Sequence, residues 1–157
     1  MIHYLHYEQG VQAPLDQVWA FFADPRNLNA ITPPDLSFHI VRDPGQSMYE
    51  GQIIEYRVSF VKAIWSKWLT EITHVQEGRY FVDEQRVGPY KLWHHEHHFN
   101  NQGDWVLLRD QVTFVVGFGL IGDLIAWLWI KRKLAWIFDY RRKKIAEMFQ
   151  PPDSVQP

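Results

Sequence analysis

The chain has 157 residues, with 16 Lys and Arg against 18 Asp and Glu and a formal net charge of −2. Hydrophobic residues make up 46% of it and charged residues 22%, which is typical of one folded domain and excludes a disordered or collagen-like protein. The near-neutral charge predicts no nucleic-acid partner, and the absence of cysteine excludes disulfides and thiolate catalysis. We expect one domain over residues 1–150 and a disordered tail at 151–157.

Targeting signals and aromatic content further limit the class of protein that the sequence can encode. The N-terminus lacks a basic segment followed by an apolar run, so it predicts no secretory signal and we expect a cytoplasmic protein. The apolar run at residues 124–130 is too short to cross a bilayer. Aromatic residues are abundant, with 8 Trp, 7 Tyr and 10 Phe, and such rings either fill a core or line a hollow one.

The first elements are predicted to be a strand and two short helices. Residues 2–12 favour a strand, and Pro14 and Asp16 favour the start of a helix, since proline suits the first turn and an acid its positive end. The Asp-Pro pair at residues 24–25 ends that helix, and a second short helix is expected through residues 27–31.

Turn residues then recur at intervals that suit hairpins rather than helices. The turn signals lie at residues 43–45, 61–62, 77–78, 88–89 and 101–103. β-Branched and aromatic residues alternate with polar ones between these signals. The pattern predicts six more antiparallel strands between residues 37 and 116.

The hydrophobic period becomes helical near the C-terminus and predicts one continuous helix over residues 122–149, about 42 Å long. Its apolar side is predicted to carry Leu124, Leu128, Leu134, Phe138, Ile145 and Phe149. Its polar side is predicted to carry Lys131, Arg132, Arg141, Arg142, Lys143 and Lys144. A helix this long must cross the whole molecule, so it has to lie against a long, curved sheet.

Several local motifs point to one known architecture. They are residues 13–19 and 31–34, Phe81-Val82-Asp83-Glu84-Gln85 with Gly88-Pro89-Tyr90, Trp93-His94-His95-Glu96-His97, and Asp110-Gln111-Val112. Through them the sequence resembles the START-like, polyketide cyclase-like (SRPBCC) superfamily, and within it a bacterial ligand-binding subfamily, over nearly the whole chain. The resemblance implies an α+β helix-grip fold, in which a seven-stranded curved antiparallel sheet surrounds a long C-terminal helix. It also implies a small, lipid-like or polyketide-like ligand between sheet and helix.

A histidine-rich strand carries most of the candidate chemistry. Side chains alternate along a strand, so its residues divide into two faces. The face predicted to be interior carries Trp93, His95, His97 and Phe99. The face predicted to be solvated carries His94, Glu96 and His98.

Turn lengths predict which residues lie opposite this strand. A three-residue turn centred on Pro89 places Phe81 opposite His97, Asp83 opposite His95 and Gln85 opposite Trp93. A two-residue turn at residues 101–102 places Val106 opposite His97, Leu108 opposite His95 and Asp110 opposite Trp93. Directly opposed residues point the same way, so the polar groups converge on the inner face. The predicted ligand-binding residues are Phe81, Asp83, Gln85, Trp93, His95, His97, Asp110 and Phe114.

Three interpretations of this cluster stay open, because buried polar side chains are costly unless paired. In the first interpretation, Asp83 or Asp110 accepts a hydrogen bond from His95, and the cluster only anchors three strands. Alternatively, the groups orient a ligand in a mostly apolar cavity. In the third interpretation, His95 is the general acid or base of a cyclase- or dehydratase-type enzyme, held by Asp83 or Asp110.

A metal site is a separate hypothesis. His95 and His97 with Asp83 or Asp110 supply two nitrogens and one oxygen, the donor set of an open site. Spacing alone is weak support, and the superfamily that the sequence resembles does not generally use a metal. No cofactor is therefore expected.

Other aromatic residues suggest further contacts. Trp65 and Trp68 lie on alternate faces of one predicted strand, and either of them, like Tyr56, is a candidate for lining a cavity. Trp127 and Trp129 cannot both point inward, so some aromatic surface near the start of the last helix is expected to be exposed. That surface would gate the mouth of the cavity, or contact a partner or a second copy in a homodimer. Membrane contact is less favoured, because basic residues on a helix more often form its solvated face.

Overall fold

The computed structural model describes residues 1–45, 47–61, 64–117 and 119–149, so the predicted tail at 151–157 lies outside the described residues. The strands are β1 (His3–Val11), β2 (Ser37–Ile40), β3 (Gln52–Val61), β4 (Ile64–Gln76), β5 (Tyr80–Val87), β6 (Leu92–Asn101) and β7 (Val106–Val115). The helices are α1 (Leu15–Phe22), a 3-10 helix (Pro25–Ile31), α2 (Gly119–Ile125), a π-helical turn (Ala126–Ile130) and α3 (Lys131–Phe149).

All seven strands form one antiparallel sheet in the order β1-β7-β6-β5-β4-β3-β2. Register irregularities interrupt the β3–β4 and β4–β5 pairings. Such bulges bend a strand and increase its twist, which curves the sheet. A curved seven-stranded sheet with a long C-terminal helix and two short helices after β1 is the helix-grip fold, so the predicted fold class is confirmed.

The connection after β1 follows local signals that the sequence contains. Pro14 precedes α1 directly, and Pro25 is the first residue of the 3-10 helix, where a missing N–H costs no hydrogen bond. The carboxylate of Asp24 accepts the backbone N–H of Arg26 at 3.0 Å and thereby caps the 3-10 helix. These two short helices add their apolar side chains to one end of the core.

The C-terminal helix differs from the single helix predicted over residues 122–149. Helical structure begins at Gly119, and a π-helical turn separates α2 from α3. A π-helical turn bonds residue i to i+5, so it rotates the side chains before it relative to those after it. Leu124 and Leu128, predicted to face the sheet, are accordingly 57% and 48% exposed.

The α3 helix contributes its buried side chains to two hydrophobic clusters against the sheet. Leu134 and Phe138 pack with the middle strands, and Ile145 and Phe149 pack with α1 and the ends of β6 and β7. The Phe138 ring stacks on Tyr7 of β1 with centroids 4.4 Å apart and planes within 7°. This contact holds α3 against β1 at one edge of the sheet. A cavity lies between α3 and the other strands.

Candidate functional site

Strand register places the polar groups of β5, β6 and β7 side by side. Phe81 pairs with His97 and Asp83 with His95, as the Pro89-centred turn predicts. The predicted β6–β7 register is wrong, because Asp110 pairs with His97 rather than with Trp93. Asn101 and Val106 form the last pair of that hairpin, so its loop is longer than two residues. The observed partner of Asp110 on β6 differs from the predicted one by an even number of residues, so Asp110 stays on the inner face.

Two histidines and two aspartates form a closed cluster on that face. His95 Nε2 lies 3.0 Å from Asp110 Oδ1, and His95 Nδ1 lies 3.4 Å from Asp83 Oδ2. His97 Nδ1 lies 2.9 Å from Asp110 Oδ1, and His97 Nε2 lies 2.9 Å from Asp83 Oδ2. The imidazole centroids are 3.8 Å apart. Each ring therefore lies between a carboxylate of β5 and a carboxylate of β7.

Burial and pairing together set the charges of the cluster. Burial and repulsion from His97 lower the pKa of His95, although Asp110 accepts its hydrogen bond. Burial acts against a charge on His97 too, but hydrogen bonds to Asp110 and Asp83 outweigh it and raise the pKa of His97. Burial acts to raise the pKa of each aspartate, but the histidines outweigh it, and the pKa of Asp110 lies well below its ordinary value.

These directions favour one charge distribution. The lowered pKa values favour the ionised form of both aspartates, and the opposite pKa shifts of the two histidines favour a positive charge on His97 over one on His95. Arg141 of α3 adds a positive charge that also lowers the pKa of Asp83. Positive charge on His97 and Arg141 opposes the negative charge of the two aspartates, which reduces the cost of burying them.

A cavity of about 160 Å³ lies between the sheet and α3 and reaches this cluster. Its walls are mainly apolar, with side chains from the short helices, from β2 to β6 and from α3. The principal rings and aliphatic chains around it are Phe38, Ile54, Tyr56, Trp68, Phe81, Tyr90, Trp93, Leu134 and Phe138. Asp83, His95, His97 and Arg141 supply charged or hydrogen-bonding groups to the same wall.

The sequence-predicted site residues occupy different places around this cavity. The structure places Phe81, Asp83, Trp93, His95 and His97 on its wall. Asp110 contacts both imidazoles from the β7 side. Two further residues lie away from the wall as the structure describes it: Phe114 is fully buried in the core, and Gln85 Nε2 donates a 2.6 Å hydrogen bond to the carbonyl of Tyr90 across the β5–β6 turn.

Sequence reasoning missed several residues of the wall, including Tyr90 and Arg141, and assigned Arg141 to the polar side of the helix. Leu134, Phe138, Arg141 and Ile145 are spaced by four, three and four residues, which places them on one helix face. That spacing is the signal for Arg141. Of the two strand tryptophans, Trp68 lines the cavity with Tyr56, while Trp65 is 46% exposed.

The Arg141 guanidinium lies within the cavity wall, and the described residues form no salt bridge with it. Its Cζ is 5.0 Å from the centre of the Phe138 ring. Among the described residues its Nε is buried and has no hydrogen-bond partner. A buried donor without a partner costs roughly 1–3 kcal/mol, and the side chain that carries it lines the cavity.

A second surface feature lies before α3. The exposed apolar side chains there are Ile121, Leu124, Leu128 and Trp129. The side chain of Trp127 lies outside the described part of the structure. Contact of this surface with a partner, a membrane or a second copy stays a prediction. Across the described residues, no helix is both long and apolar enough to span a bilayer.

Comparisons with known proteins show which solved structures share this fold. No protein-family model matches the sequence, and no curated protein matches it either. Among solved structures, protein CV1439 from Chromobacterium violaceum is 12% identical, with 96% of this chain and 99% of that chain covered and a TM-score of 0.71. The Zhui aromatase/cyclase from Streptomyces sp. R1128 is 14% identical, with 100% of this chain and 100% of that chain covered and a TM-score of 0.66.

Norcoclaurine synthase from Thalictrum flavum, in complex with dopamine and hydroxybenzaldehyde, is a third similar structure. It is 16% identical, with 94% of this chain and 88% of that chain covered and a TM-score of 0.64. At such identities the similarity defines the fold alone. The chain thus shares the helix-grip fold of these structures, which is the fold that the sequence resemblance implied.

Proposed function

We propose that this protein binds a small, largely hydrophobic molecule, lipid-like or polyketide-like, between the sheet and α3. The observation that carries the proposal is the apolar hollow of about 160 Å³ with a few polar groups converging on one part of its wall. Ligand sites are generally apolar cavities with a small number of placed polar groups. The cyclase and synthase among the similar structures are consistent with this function.

Cavity size limits what enters without rearrangement. An apolar cavity of about 150 Å³ stays dry and accepts a benzene-sized ligand, whereas typical ligand pockets enclose roughly 300–1,000 Å³. One or two fused rings are therefore the size class that we expect to bind with small movements of the wall. A ligand that buries about 200 Å² of apolar surface gains roughly 5 kcal/mol before its lost freedom is counted, so affinity in the region of about 1 mM is expected.

The polar groups favour one orientation of the ligand. Arg141 offers an N–H donor that lacks a partner among the described residues, and the imidazoles of His95 and His97 lie on the same wall. A carboxylate or carbonyl oxygen would accept a hydrogen bond from Arg141, while the rest of the ligand contacts the rings. The preferred ligand is thus an aromatic or aliphatic body with one acidic or carbonyl end.

Two fluorescent probes of suitable size test the proposal. We expect 1-naphthol and 1-naphthoic acid to bind with one site per chain in a calorimetric titration. Ile137, which lines the cavity, provides a blocking variant, Ile137→Trp, and exposed Met148 on the same helix provides its control, Met148→Trp. The blocking variant should bind at least tenfold more weakly and the control should match wild type. Failure of wild type to bind either probe, or equal binding by Ile137→Trp, would contradict the proposal.

A cyclase- or dehydratase-type enzyme is the second candidate function. It is favoured by the location of His95 between two carboxylates at the cavity wall, where it could move a proton at an enolisable carbon. Deuterium incorporation into an aryl methyl ketone in D2O measures this reaction. Wild type should accelerate exchange, and His95→Gln should abolish the acceleration with an unchanged melting temperature. A large loss of stability in His95→Gln, or no acceleration by wild type, would favour the anchoring role.

A further inference from the structure

Two imidazoles and one carboxylate converge at the wall of the cavity. His95 Nδ1 lies 3.4 Å and His97 Nε2 lies 2.9 Å from the same atom, Asp83 Oδ2. One donor atom from each of the three residues lies within 4.8 Å of the other two. All three residues line the cavity, so a group held between them is accessible from it.

Asp110 contacts the other nitrogen of each ring. Its Oδ1 lies 3.0 Å from His95 Nε2 and 2.9 Å from His97 Nδ1. A metal-bound histidine usually donates its second ring N–H to a carboxylate, which fixes the tautomer and the orientation of the ring. Here one carboxylate, on the β7 side, does this for both imidazoles. It leaves His95 Nδ1 and His97 Nε2 directed at Asp83 on the β5 side.

We propose that Asp83, His95 and His97 bind one divalent transition-metal ion, for which Zn²⁺ is the reference, and that Asp110 positions both imidazoles. Tetrahedral zinc with bonds of about 2.0 Å has ligand atoms roughly 3.3 Å apart. The two distances to Asp83 Oδ2, 3.4 and 2.9 Å, lie on either side of that value. Three protein ligands leave a coordination position free, as catalytic rather than structural zinc sites do.

Binding of the ion would change the protons and the charges of the cluster. Binding removes the proton between His97 Nε2 and Asp83 and releases it to solvent, since ligand atoms must be deprotonated. The N–H groups that face Asp110 stay in place. Both imidazoles are then neutral, the carboxylates of Asp83 and Asp110 offset the two charges of the ion, and the positive charge of Arg141 in the same wall remains for an acidic ligand to offset. The carboxylate of Asp83, which is now hydrogen-bonded to His97 Nε2, has to move aside so that the ion lies between them.

This site goes beyond the proposed function, because an apolar ligand enters the cavity by burial and needs no ion. Because Asp83, His95 and His97 all line the cavity, an ion held by them would offer a second contact for a carbonyl or carboxylate oxygen of the same ligand. The chemical class of the group bound is therefore a hard or borderline divalent cation with nitrogen and oxygen ligands.

Titration with Zn²⁺ alone, in competition with a chromogenic chelator, tests the site. Wild type should bind one ion per chain with at least micromolar affinity. His97→Gln and Asp83→Asn each remove a ligand and should weaken binding at least 100-fold. Asp110→Asn should weaken it about 10–100-fold with unchanged stoichiometry, as loss of a positioning carboxylate does.

The outer face of β6 provides the control. His94→Gln combined with His98→Gln removes two half-buried histidines that contact Glu84 and Glu96 rather than the cavity. This double variant should bind Zn²⁺ within twofold of wild type. If it loses the tight site while His97→Gln retains it, the ion belongs to the outer face and the proposal is wrong.

Paramagnetic Co²⁺ tests the site in wild type, without relying on variants that unfold. Trp93 packs against His95 with ring centroids 6.1 Å apart, and Tyr80 packs against the outer His98 at 5.6 Å. One equivalent of Co²⁺ should broaden the Trp93 indole signal and leave Tyr80 sharp. The reverse pattern, or no ion bound, overturns the proposal. A chain that binds 1-naphthol but no ion would leave the ligand-binding proposal intact.

Discussion

Strand β6 carries the same residue type on two faces with different surroundings. On the inner face, the side chains of His95 and His97 are 5% and 10% exposed, and each contacts two aspartates. On the outer face, the side chains of His94 and His98 are both 30% exposed and contact glutamates. Composition alone does not distinguish these two groups.

The two faces differ in whether water can replace a lost hydrogen-bond or ion-pair partner. The outer pairs are joined by contacts such as His94 Nδ1 to Glu84 Oε1 at 2.8 Å, and solvent screens them. The inner pairs are out of reach of most solvent, so losing one partner leaves a buried group without compensation. Burial therefore decides which histidines of β6 are structurally and chemically significant.

The largest expected effect on stability comes from removing one of the two inner carboxylates, that of Asp110. Asp110→Ala leaves two buried imidazole nitrogens without an acceptor and should lower the free energy of unfolding by about 3–5 kcal/mol. Glu96→Ala, its counterpart on the outer face, should cost at most about 1 kcal/mol. Urea denaturation of both variants measures the contrast. Equal losses would show that burial does not separate the faces.

The next effect concerns the wall of the cavity. Phe138→Leu removes a buried ring that stacks on Tyr7, and should cost roughly 1–2 kcal/mol while enlarging the hollow. The matched exterior change on α3, Trp136→Leu, should alter stability by less than about 0.5 kcal/mol. Phe138→Leu should also gain affinity for a three-ring probe, 9-anthroic acid, relative to 1-naphthoic acid. An unchanged ratio would mean that this ring does not limit the cavity.

A smaller effect is expected for the two adjacent arginines of α3. Arg141→Met removes the donor that faces the cavity and should weaken 1-naphthoic acid about tenfold, or roughly 1.4 kcal/mol, with little change for 1-naphthol. Arg142→Met removes an exposed arginine that lies 3.6 Å from Asp139 and should change neither affinity. Equal weakening of both probes by Arg141→Met would indicate a packing role instead.

The smallest effect is the pH dependence due to His3, a buried histidine outside the cluster. Burial, together with the charge of Lys131, lowers the pKa of His3, although Asp123 opposes the shift. The folded state prefers neutral His3, so its contribution to stability is complete above the unfolded pKa of about 6.5 and is lost as pH falls below it. His3→Gln should therefore flatten the stability profile below about pH 6.5. A profile as steep as that of wild type would contradict this assignment.

Local patterns predicted much of this arrangement. The alternation of β6 separated His95 and His97 from His94 and His98, because side-chain period in a strand does not depend on distant residues. The β5–β6 pairing of Asp83 with His95 followed from one correctly placed turn.

The errors arose where distant or subtle geometry decides the outcome. The β6–β7 register depended on a loop whose length the sequence left open, and only the even size of the shift kept Asp110 on the inner face. The π-helical turn had no composition signal, so the exposure of Leu124 and Leu128 was not foreseen. The place of Arg141 in the cavity wall depended on α3 packing against the sheet, and its charge favoured the solvated face.

The most direct test of ligand binding is a crystal structure of the wild-type chain with 1-naphthoic acid. The proposed function predicts its rings between Trp68 of the sheet and Leu134 of α3, with its carboxylate within hydrogen-bond distance of Arg141. Rings bound on the outside of the molecule, or a hollow between sheet and α3 that stays empty at saturating probe, would contradict it.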